Sequence, residues 1–219
     1  MKKLPSKLKN NFEVDLDHTI NSGQVFLWEK SNSKWYGING KKIMVLDEKL
    51  DYKNKQIAKF FRFDDDFQNI KKELSKDSVV NDALNHFSGM RILRQEPFQC
   101  YISFIVSSNS NIPNIKTRLQ NLCQKFGLKK TIKEKEYFLF PRPEILDNAS
   151  VNDIVKCGLG YRAKYVKEAS KAIVDKKINF DDLKKSDYYT SRDNLCSVFG
   201  IGRKVADCIL LFSLDKLEA

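Results

Sequence analysis

The hydrophobic and polar positions in the first third of the chain follow the two-residue period of β-strands. Phe12, Val14 and Leu16 alternate with acidic residues, which is typical of a half-buried strand. The dipeptide Asn39-Gly40 predicts a two-residue hairpin turn, because both residue types tolerate a positive φ. Further strand segments, rich in aromatic and β-branched residues, lie at 24–28, 35–38 and 41–46. These segments predict a twisted antiparallel sheet.

From about residue 67 onward the apolar residues recur every three or four positions, the spacing of amphipathic helices. Pro97 suits the first turn of an apolar helix, and Pro113 and Gly127 suit the start and end of the next one. The apolar stripes include Val80, Ala83, Leu84 and Phe87, then Ile112, Ile115, Leu119, Leu122 and Phe126, and later Ala163, Val166, Ala169 and Ile173. The pattern predicts an α+β protein with a sheet domain over residues 1–98 and a helical domain over residues 99–219.

Composition narrows the class of partner. The 219 residues include 39 Lys and Arg against 28 Asp and Glu, a net charge of +11. Such an excess favours a polyanion, with nucleic acid ahead of membrane, although charge alone fits a merely basic soluble protein equally well. No apolar run has the length of a spanning helix and no apolar segment follows the N-terminal lysines, so we expect an intracellular protein that is neither secreted nor membrane-bound.

Cysteine and histidine usage argues against a metal site. The five cysteines have no CxxC spacing and the chain has only His18 and His86, so neither a zinc nor an iron–sulfur site is expected. Reduced thiols are the expected state in an intracellular protein.

The segment with the clearest chemistry is Gly200-Ile201-Gly202, which separates a short apolar stretch from a longer amphipathic one. Two glycines allow a sharp turn, and the amides at the following helix N-terminus suit a phosphate. This is the logic of a helix-hairpin-helix. Lys204 then has two interpretations: a phosphate-contacting lysine, as Arg203 is expected to be, or an amine that forms a Schiff base with a sugar carbon. The motif alone favours the first.

Residues 200–208, GIGRKVADC, resemble the catalytic hairpin of the 8-oxoguanine DNA glycosylase/AP lyase family. Four other segments resemble segments of that family in the same order: NSGQVFLW at 21–28, FSGMRILRQEP at 87–97, FIVSSNSNI at 104–112 and GLGYRA at 158–163. The resemblance covers nearly the whole chain, and the ordered set is far more specific than any one segment. It moves Lys204 to the nucleophile interpretation.

The resemblance implies a set of lesion-binding residues. Lys204 matches the nucleophilic lysine, and Gly23 matches the glycine whose carbonyl accepts from N7–H of the oxidised base, a hydrogen that guanine lacks. Cys208 and Phe212 fall where pocket walls are expected, although both also fit ordinary core packing.

It also implies the residues that hold the DNA. Asn109 matches the residue that fills the gap left by the flipped base, Tyr161 matches the wedge, and Arg162 matches the arginine that reads the orphan base. Gly200, Gly202 and Arg203 would contact a DNA phosphate.

The implied function is base excision repair. Lys204 would attack C1′ of an 8-oxoguanine nucleotide flipped out of duplex DNA, and β-elimination would then cleave the strand at the abasic site. No organic cofactor or metal is expected. The expected protein is a monomer that acts on double-stranded DNA containing oxidised guanine, in nucleoid-associated cytoplasm or in a nucleus.

Three departures from the family pattern qualify this expectation. Asn114 stands where some members have a second cytosine-reading arginine, which predicts weak selectivity for the opposite base. Phe199 replaces the usual hairpin proline. The resemblance places the catalytic aspartate after Ala219, so the chain is expected to lack the family's C-terminal part, and residues 1–219 alone are expected to bind DNA with negligible excision.

Two other functions remain open at this point. One is a related glycosylase with another lesion preference, against which Gly23 and its flanking residues argue. The other is a catalytically incomplete DNA-binding fragment.

Overall fold

A computed structural model of the chain describes residues 13–47, 49–132 and 134–219. It has an α+β fold, with a small antiparallel sheet in the N-terminal part followed by a helical domain. The strands are β1 Trp28–Ser31, β2 Lys34–Asn39, β3 Lys42–Leu46, β4 Lys129–Ile132 and β5 Lys135–Phe138. The helices are α1 Leu16–Asn21, α2 Lys55–Phe60, α3 Phe67–Leu74, α4 Ser78–His86, α5 Pro97–Ser107, α6 Ile112–Phe126, α7 Pro143–Asn148, α8 Val151–Ile154, α9 Arg162–Val174, α10 Phe180–Lys185, α11 Tyr188–Cys196 and α12 Arg203–Ser213, with a π-helical turn at Val155–Leu159 after α8.

The strand predicted at the start of the chain is wrong for the residues that the structure describes. Leu16 begins helix α1, and the Asp15 carboxylate caps that helix by accepting from the backbone N–H of His18 at 2.7 Å. The alternating pattern is too short to outweigh a well-placed N-cap. Phe12, the first apolar position of the pattern, lies outside the described residues.

The predicted hairpin forms, with its turn one residue later than expected. Asn39 pairs with Lys42 as the last rung of the β2–β3 ladder, so the turn residues are Gly40 and Lys41. Gly40 has a φ of 61° and its N–H donates to the Gln99 side chain at 2.7 Å. The Gln99 amide in turn donates to the Ile38 carbonyl at 2.7 Å, which ties the hairpin to helix α5.

Contacts divide the chain into two units, of which the smaller comprises, within the described residues, 13–24, 47 and 49–94. It contains helices α1 to α4 around a core that includes Phe60, Phe61 and Leu93. The buried Gln24 side chain fastens its two segments, because it donates to the Arg91 carbonyl at 2.9 Å and accepts from the Leu93 N–H at 2.8 Å.

The larger unit comprises residues 25–46 and 95–219, so it contains the three-stranded sheet, the β4–β5 hairpin and helices α5 to α12. Helix α5 is its centre: residues 98–106 are buried, and the helix packs against α6, α9 and α12. The division of the sequence between residues 98 and 99 stays a prediction about domain organisation. Among the described residues, no helix combines the length and the apolar character that crossing a membrane requires.

Candidate functional site

The hairpin between α11 and α12 is built on two glycines with different reasons for being glycine. Gly200 has a φ of 91°, and a Cβ placed on it would lie 2.2 Å from the ring of Tyr165. Gly202 is the N-cap residue before α12 and is extended, with φ −93° and ψ 171°, and a Cβ on it would meet open space. The first glycine therefore permits the turn, and the second leaves room for another molecule at the helix N-terminus.

The N-terminus of α12 is suited to an anion. No side chain caps it in the described part of the chain, so the amides of its first turn have no side-chain acceptor. Arg203 and Lys204, the first two residues of the helix, are exposed. Amide dipoles and two cations together favour a bound phosphate.

One face of α12 brings three of the predicted site residues together. Lys204, Cys208 and Phe212 follow each other at four-residue intervals, which places them on the same side of the helix. Burial raises the pKa of the half-buried Cys208 thiol, with the Lys204 charge acting in the opposite direction. The Lys204 ammonium makes no hydrogen bond or ion pair within the residues that the structure describes. The face thus combines an exposed amine with a neutral thiol and an aromatic ring.

The structure adds an aromatic wall to this face that the sequence did not single out. The Phe212 ring stacks on Phe104 of helix α5, with centroids 5.5 Å apart and planes 12° apart. Phe26 also contacts the Phe104 ring, edge to face, with the two ring centroids 5.9 Å apart. Phe104 would have been hard to find from sequence, because every residue of α5 around it is apolar or buried.

A polar network fixes α12 against α11. The Tyr188 hydroxyl donates to the Asp207 carboxylate at 2.9 Å, and the Arg192 guanidinium donates to the Tyr188 hydroxyl at 3.1 Å. The hydrogen bond to Asp207 raises the pKa of Tyr188. The network therefore anchors α12 to α11 at Asp207, about one helical turn after Lys204.

Two of the predicted orphan-base and wedge residues lie on adjoining segments, loop 108–111 and turn 157–161, and the third, Arg162, directly follows the turn as the first residue of α9. Asn109 is exposed with a φ of 47°, and Tyr161 is exposed as well. Arg162 is buried: its Nε donates to the Ser108 carbonyl at 2.7 Å, and its Nη2 donates to the Asn109 carbonyl at 2.8 Å. In this conformation Arg162 joins the two segments, and its Nη1 hydrogens make no bond to the described residues.

Three aromatic rings connect the wedge to the hairpin, of which Tyr161 and Phe199 are exposed and the central Tyr165 is partly buried. Tyr161 contacts Tyr165 at 5.6 Å between centroids, and Tyr165 contacts Phe199 at 5.1 Å. The Phe199 side chain stands at the hairpin tip and is 63% exposed. We call Tyr161, Tyr165 and Phe199 the aromatic row.

Two further residues named from the family resemblance are Gly23 and Asn114. Gly23 belongs to the smaller unit, where it has a φ of 89° and lies between Ser22 and Gln24, whose side chains hydrogen-bond to each other at 2.9 Å. Asn114 is an exposed residue in the first turn of α6, and its backbone N–H donates to the capping Asn111 side chain at 3.0 Å. The roles of both stay predictions.

The described residues contain no group of three or more His, Cys, Asp or Glu side chains placed to hold a metal ion. The five cysteines are free thiols.

Comparison with known families gives the class of the molecule. Residues 102–207 match "HhH-GPD superfamily base excision DNA repair protein", and residues 7–101 match "8-oxoguanine DNA glycosylase, N-terminal domain". The second half is thus the repair domain that contains the helix-hairpin-helix, and the first half is specific to one group within that superfamily.

Individual relatives agree with this classification. The N-glycosylase/DNA lyase OGG1 of Arabidopsis thaliana is 32% identical over an alignment that covers 98% of this chain and 64% of that protein. The N-glycosylase/DNA lyase of Saccharomyces cerevisiae is 35% identical and is covered to 45%. The chain therefore spans less than two thirds of the length of these curated relatives.

Solved structures agree in fold as well as in sequence. The 8-oxoguanine glycosylase/lyase of Clostridium acetobutylicum, in complex with double-stranded DNA containing cytosine opposite 8-oxoguanine, superposes with a TM-score of 0.87 at 32% identity, over 93% of this chain and 74% of that one. MBOgg1 in complex with a low-affinity DNA ligand gives a TM-score of 0.86 at 33% identity, over 94% and 75%. The chain belongs to the 8-oxoguanine DNA glycosylase family. The 3-methyladenine DNA glycosylase of Archaeoglobus fulgidus, at 16% identity and a TM-score of 0.72, shares the fold alone.

Proposed function

We propose that the chain carries the nucleophile and the DNA-binding surface of a base excision enzyme that removes 8-oxoguanine from duplex DNA and cleaves the strand at the resulting abasic site. The observation that carries the proposal is the α12 face: an exposed Lys204 beside an uncapped helix N-terminus, with Cys208 and Phe212 on the same side. The relatives named as N-glycosylase/DNA lyases support it.

The first chemical step would be displacement at the sugar. Because C1′ is unreachable inside the base stack, the damaged nucleotide must be flipped out of the duplex. The unprotonated Lys204 amine then donates its electron pair to C1′. The bond between C1′ and N9 of the base breaks, and the base departs with that electron pair and takes up a proton.

The second step would be strand cleavage. The sugar ring opens to a Schiff base between the Lys204 nitrogen and C1′, which makes the hydrogens on C2′ acidic. Loss of a C2′ proton expels the 3′ phosphate by β-elimination. Water then releases Lys204.

Lesion recognition is proposed to rest on one hydrogen. Oxidation at C8 places a hydrogen on N7, and the Gly23 carbonyl is the proposed acceptor for it. Guanine has a lone pair at that position, which would repel a carbonyl oxygen.

On the other side of the duplex, Asn109 and Tyr161 are proposed to occupy the space left by the flipped nucleotide. Arg162 is the proposed reader of the orphan base. Its unused Nη1 donors support that role, while its bonds to loop 108–111 hold the guanidinium in place.

Lys204 can be tested apart from the excision step. A duplex with a preformed abasic site presents an aldehyde at C1′, which condenses with an amine by loss of water, and borohydride reduces the product to a stable secondary amine. We expect the protein to be trapped covalently on this duplex, and Lys204→Gln to abolish trapping. Lys171→Gln, the same change at an exposed lysine of α9, should be trapped as the original protein is.

Trapping of Lys204→Gln at the original rate would refute the assignment of the nucleophile. Excision is then measured separately on duplexes that contain 8-oxoguanine, 3-methyladenine or no lesion. Release of 8-oxoguanine alone supports the proposed substrate, and release of another base supports a related glycosylase. Trapping on the abasic duplex without release of any base agrees with the negligible excision expected of residues 1–219 alone. Binding without trapping supports a non-catalytic DNA-binding protein.

A further inference from the structure

Arg118 of helix α6 bridges the two segments that carry Asn109 and Tyr161. Its Nε donates to the carbonyl of Gly158 at 2.9 Å, and its Nη1 donates to the Ser110 hydroxyl at 2.6 Å. A guanidinium is planar and its donors diverge at fixed angles, so one arginine fixes two acceptors relative to each other. Arg118 therefore sets the spacing between loop 108–111 and turn 157–161.

Arg162 makes the same connection from the opposite direction. It lies just after turn 157–161 and donates to the Ser108 and Asn109 carbonyls in loop 108–111. Both arginines therefore connect loop 108–111 to turn 157–161, Arg118 from α6 and Arg162 from the start of α9. All of their acceptors here are neutral oxygens.

Both segments contain left-handed backbone, which glycine adopts freely and which a non-glycine residue such as Asn109 adopts at a cost. Asn109 has a φ of 47°, Gly158 a φ of 85° and Gly160 a φ of 56°. A strained residue such as Asn109 persists where the surrounding contacts determine its conformation. The Arg118 side chain also packs beneath Gly158, where a Cβ would lie 3.7 Å from its Cγ.

We infer that Arg118 is a positioning residue: by joining Ser110 to Gly158 it holds Asn109 and Tyr161 in fixed relative placement before DNA binds. The inference deepens the proposed function, on which its DNA-related part rests. Preorganisation lowers the entropy lost when both side chains enter the duplex together. Arg118 acts through these two residues and need not touch the base itself.

The free protein provides the first test. Amide hydrogen exchange is measured in the full chain, in Arg118→Ala and in Lys116→Ala, which removes the same charge two positions earlier on α6 and breaks no hydrogen bond among the described residues. We expect faster exchange at residues 107–112 and 157–162 in Arg118→Ala only. Ser110→Ala, which deletes one acceptor and keeps the charge, should accelerate the same amides to a smaller extent.

The second test uses a duplex that contains a tetrahydrofuran abasic-site analogue with 2-aminopurine as the opposite base. Insertion of Asn109 and Tyr161 should change the 2-aminopurine fluorescence, and Arg118→Ala should reduce that change. Its affinity for this duplex should fall about tenfold, the size of one lost hydrogen bond to a charged group. Affinity for an undamaged duplex should fall only as far as it does in Lys116→Ala.

Unchanged exchange in both Arg118→Ala and Ser110→Ala would overturn the inference, whatever the DNA results are. Equal losses of affinity in Arg118→Ala and Lys116→Ala on both duplexes would also overturn it, because Arg118 would then be only a charge. If the original protein prefers neither duplex, the proposed function fails, and the exchange experiment alone decides whether Arg118 positions the two segments.

Discussion

Gly200 and Gly202 are separated by a single residue, yet their backbone conformations and surroundings differ. Gly200 occupies the left-handed region and lies against the Tyr165 ring, whereas Gly202 has an ordinary φ and open space around it. A side chain would therefore harm the fold at Gly200 and the bound partner at Gly202. The same substitution at the two positions separates stability from binding.

We predict that Gly200→Ala lowers the free energy of unfolding by about 2 kcal/mol or more, because a left-handed φ and a close contact with a ring each cost about 1–2 kcal/mol. Gly202→Ala should lower it by less than about 1 kcal/mol. Denaturant unfolding measures both. Equal stability losses would contradict the different environments of the two glycines.

For Gly202→Ala we expect a small loss of stability but a clear loss of DNA affinity. A methyl group there would stand where a phosphate approaches the α12 amides, so Gly202→Ala should weaken duplex affinity about tenfold, as expected for one impaired charge-assisted hydrogen bond. Unchanged affinity in a folded Gly202→Ala protein would argue against phosphate binding at this helix N-terminus.

At the scale of elements, the aromatic row links the hairpin to α9. Tyr165 supports the Gly200 backbone from below and contacts Tyr161 on one side and Phe199 on the other. Proline, the usual residue at the position of Phe199 in the resembling family, has no aromatic ring to complete such a row. Phe199 therefore adds an exposed aromatic ring at the hairpin tip, next to the partly buried Tyr165.

This surface predicts that Phe199 contributes to DNA binding. Phe199→Ala should change stability by about 1 kcal/mol or less, because the side chain is mostly exposed. It should weaken affinity for an abasic-site duplex about tenfold, within the range for loss of one aromatic stacking contact.

Tyr189→Ala is the matched control, since Tyr189 is 66% exposed against 63% for Phe199 and lies in the first turn of α11. Its affinity for the same duplex should equal that of the original protein. Equal losses in the two variants, measured by fluorescence anisotropy, would show that exposed aromatic area in general, and not the aromatic row, affects binding.

At the scale of the whole molecule, the net charge of +11 favours contacts to DNA phosphates, and the number of those contacts sets how binding responds to salt. If binding neutralises about four phosphates, it releases their counterions. The binding constant should then fall roughly a hundredfold as the salt concentration rises from ~50 mM to ~200 mM. A titration at several salt concentrations gives the slope. Affinity that does not change with salt would exclude phosphate contacts as its main source.

Arg203→Gln refines the salt experiment. If Arg203 contacts a phosphate, the variant should bind more weakly to damaged and undamaged duplexes alike, and its salt slope should be smaller by roughly one. A slope equal to that of the original protein would remove Arg203 from the proposed phosphate site.

The sequence by itself determined the features that depend on local backbone. The hairpin glycines, and Pro97 and Pro113 in the first turns of α5 and α6, are where the pattern predicts. Each follows from the conformational preference of one residue and its near neighbours. The ordered motifs determined the family for a related reason, since several short constrained segments in one order are unlikely to coincide by chance.

Local patterns failed where two local rules competed, and where two hairpin registers differed by only one residue. Alternation predicted a strand that the Asp15 cap turned into helix α1, and the hairpin turn fell one residue later than Asn39-Gly40 suggested. In the second case Gln99, about sixty residues away in sequence, bonds to both Gly40 and Ile38 and so holds the register.

Only the tertiary structure decided how the candidate site is supported. Arg118 and Arg162 bond to backbone and side-chain oxygens 8 to 54 residues away, the Phe104 ring covers Phe212, and Tyr165 lies under Gly200. The family resemblance could name Arg162 as the expected reader of the orphan base, because that residue matches a position in an ordered motif. The sequence could not show that Arg162 donates to the Ser108 and Asn109 carbonyls, because hydrogen bonds between distant segments depend on how the helices pack.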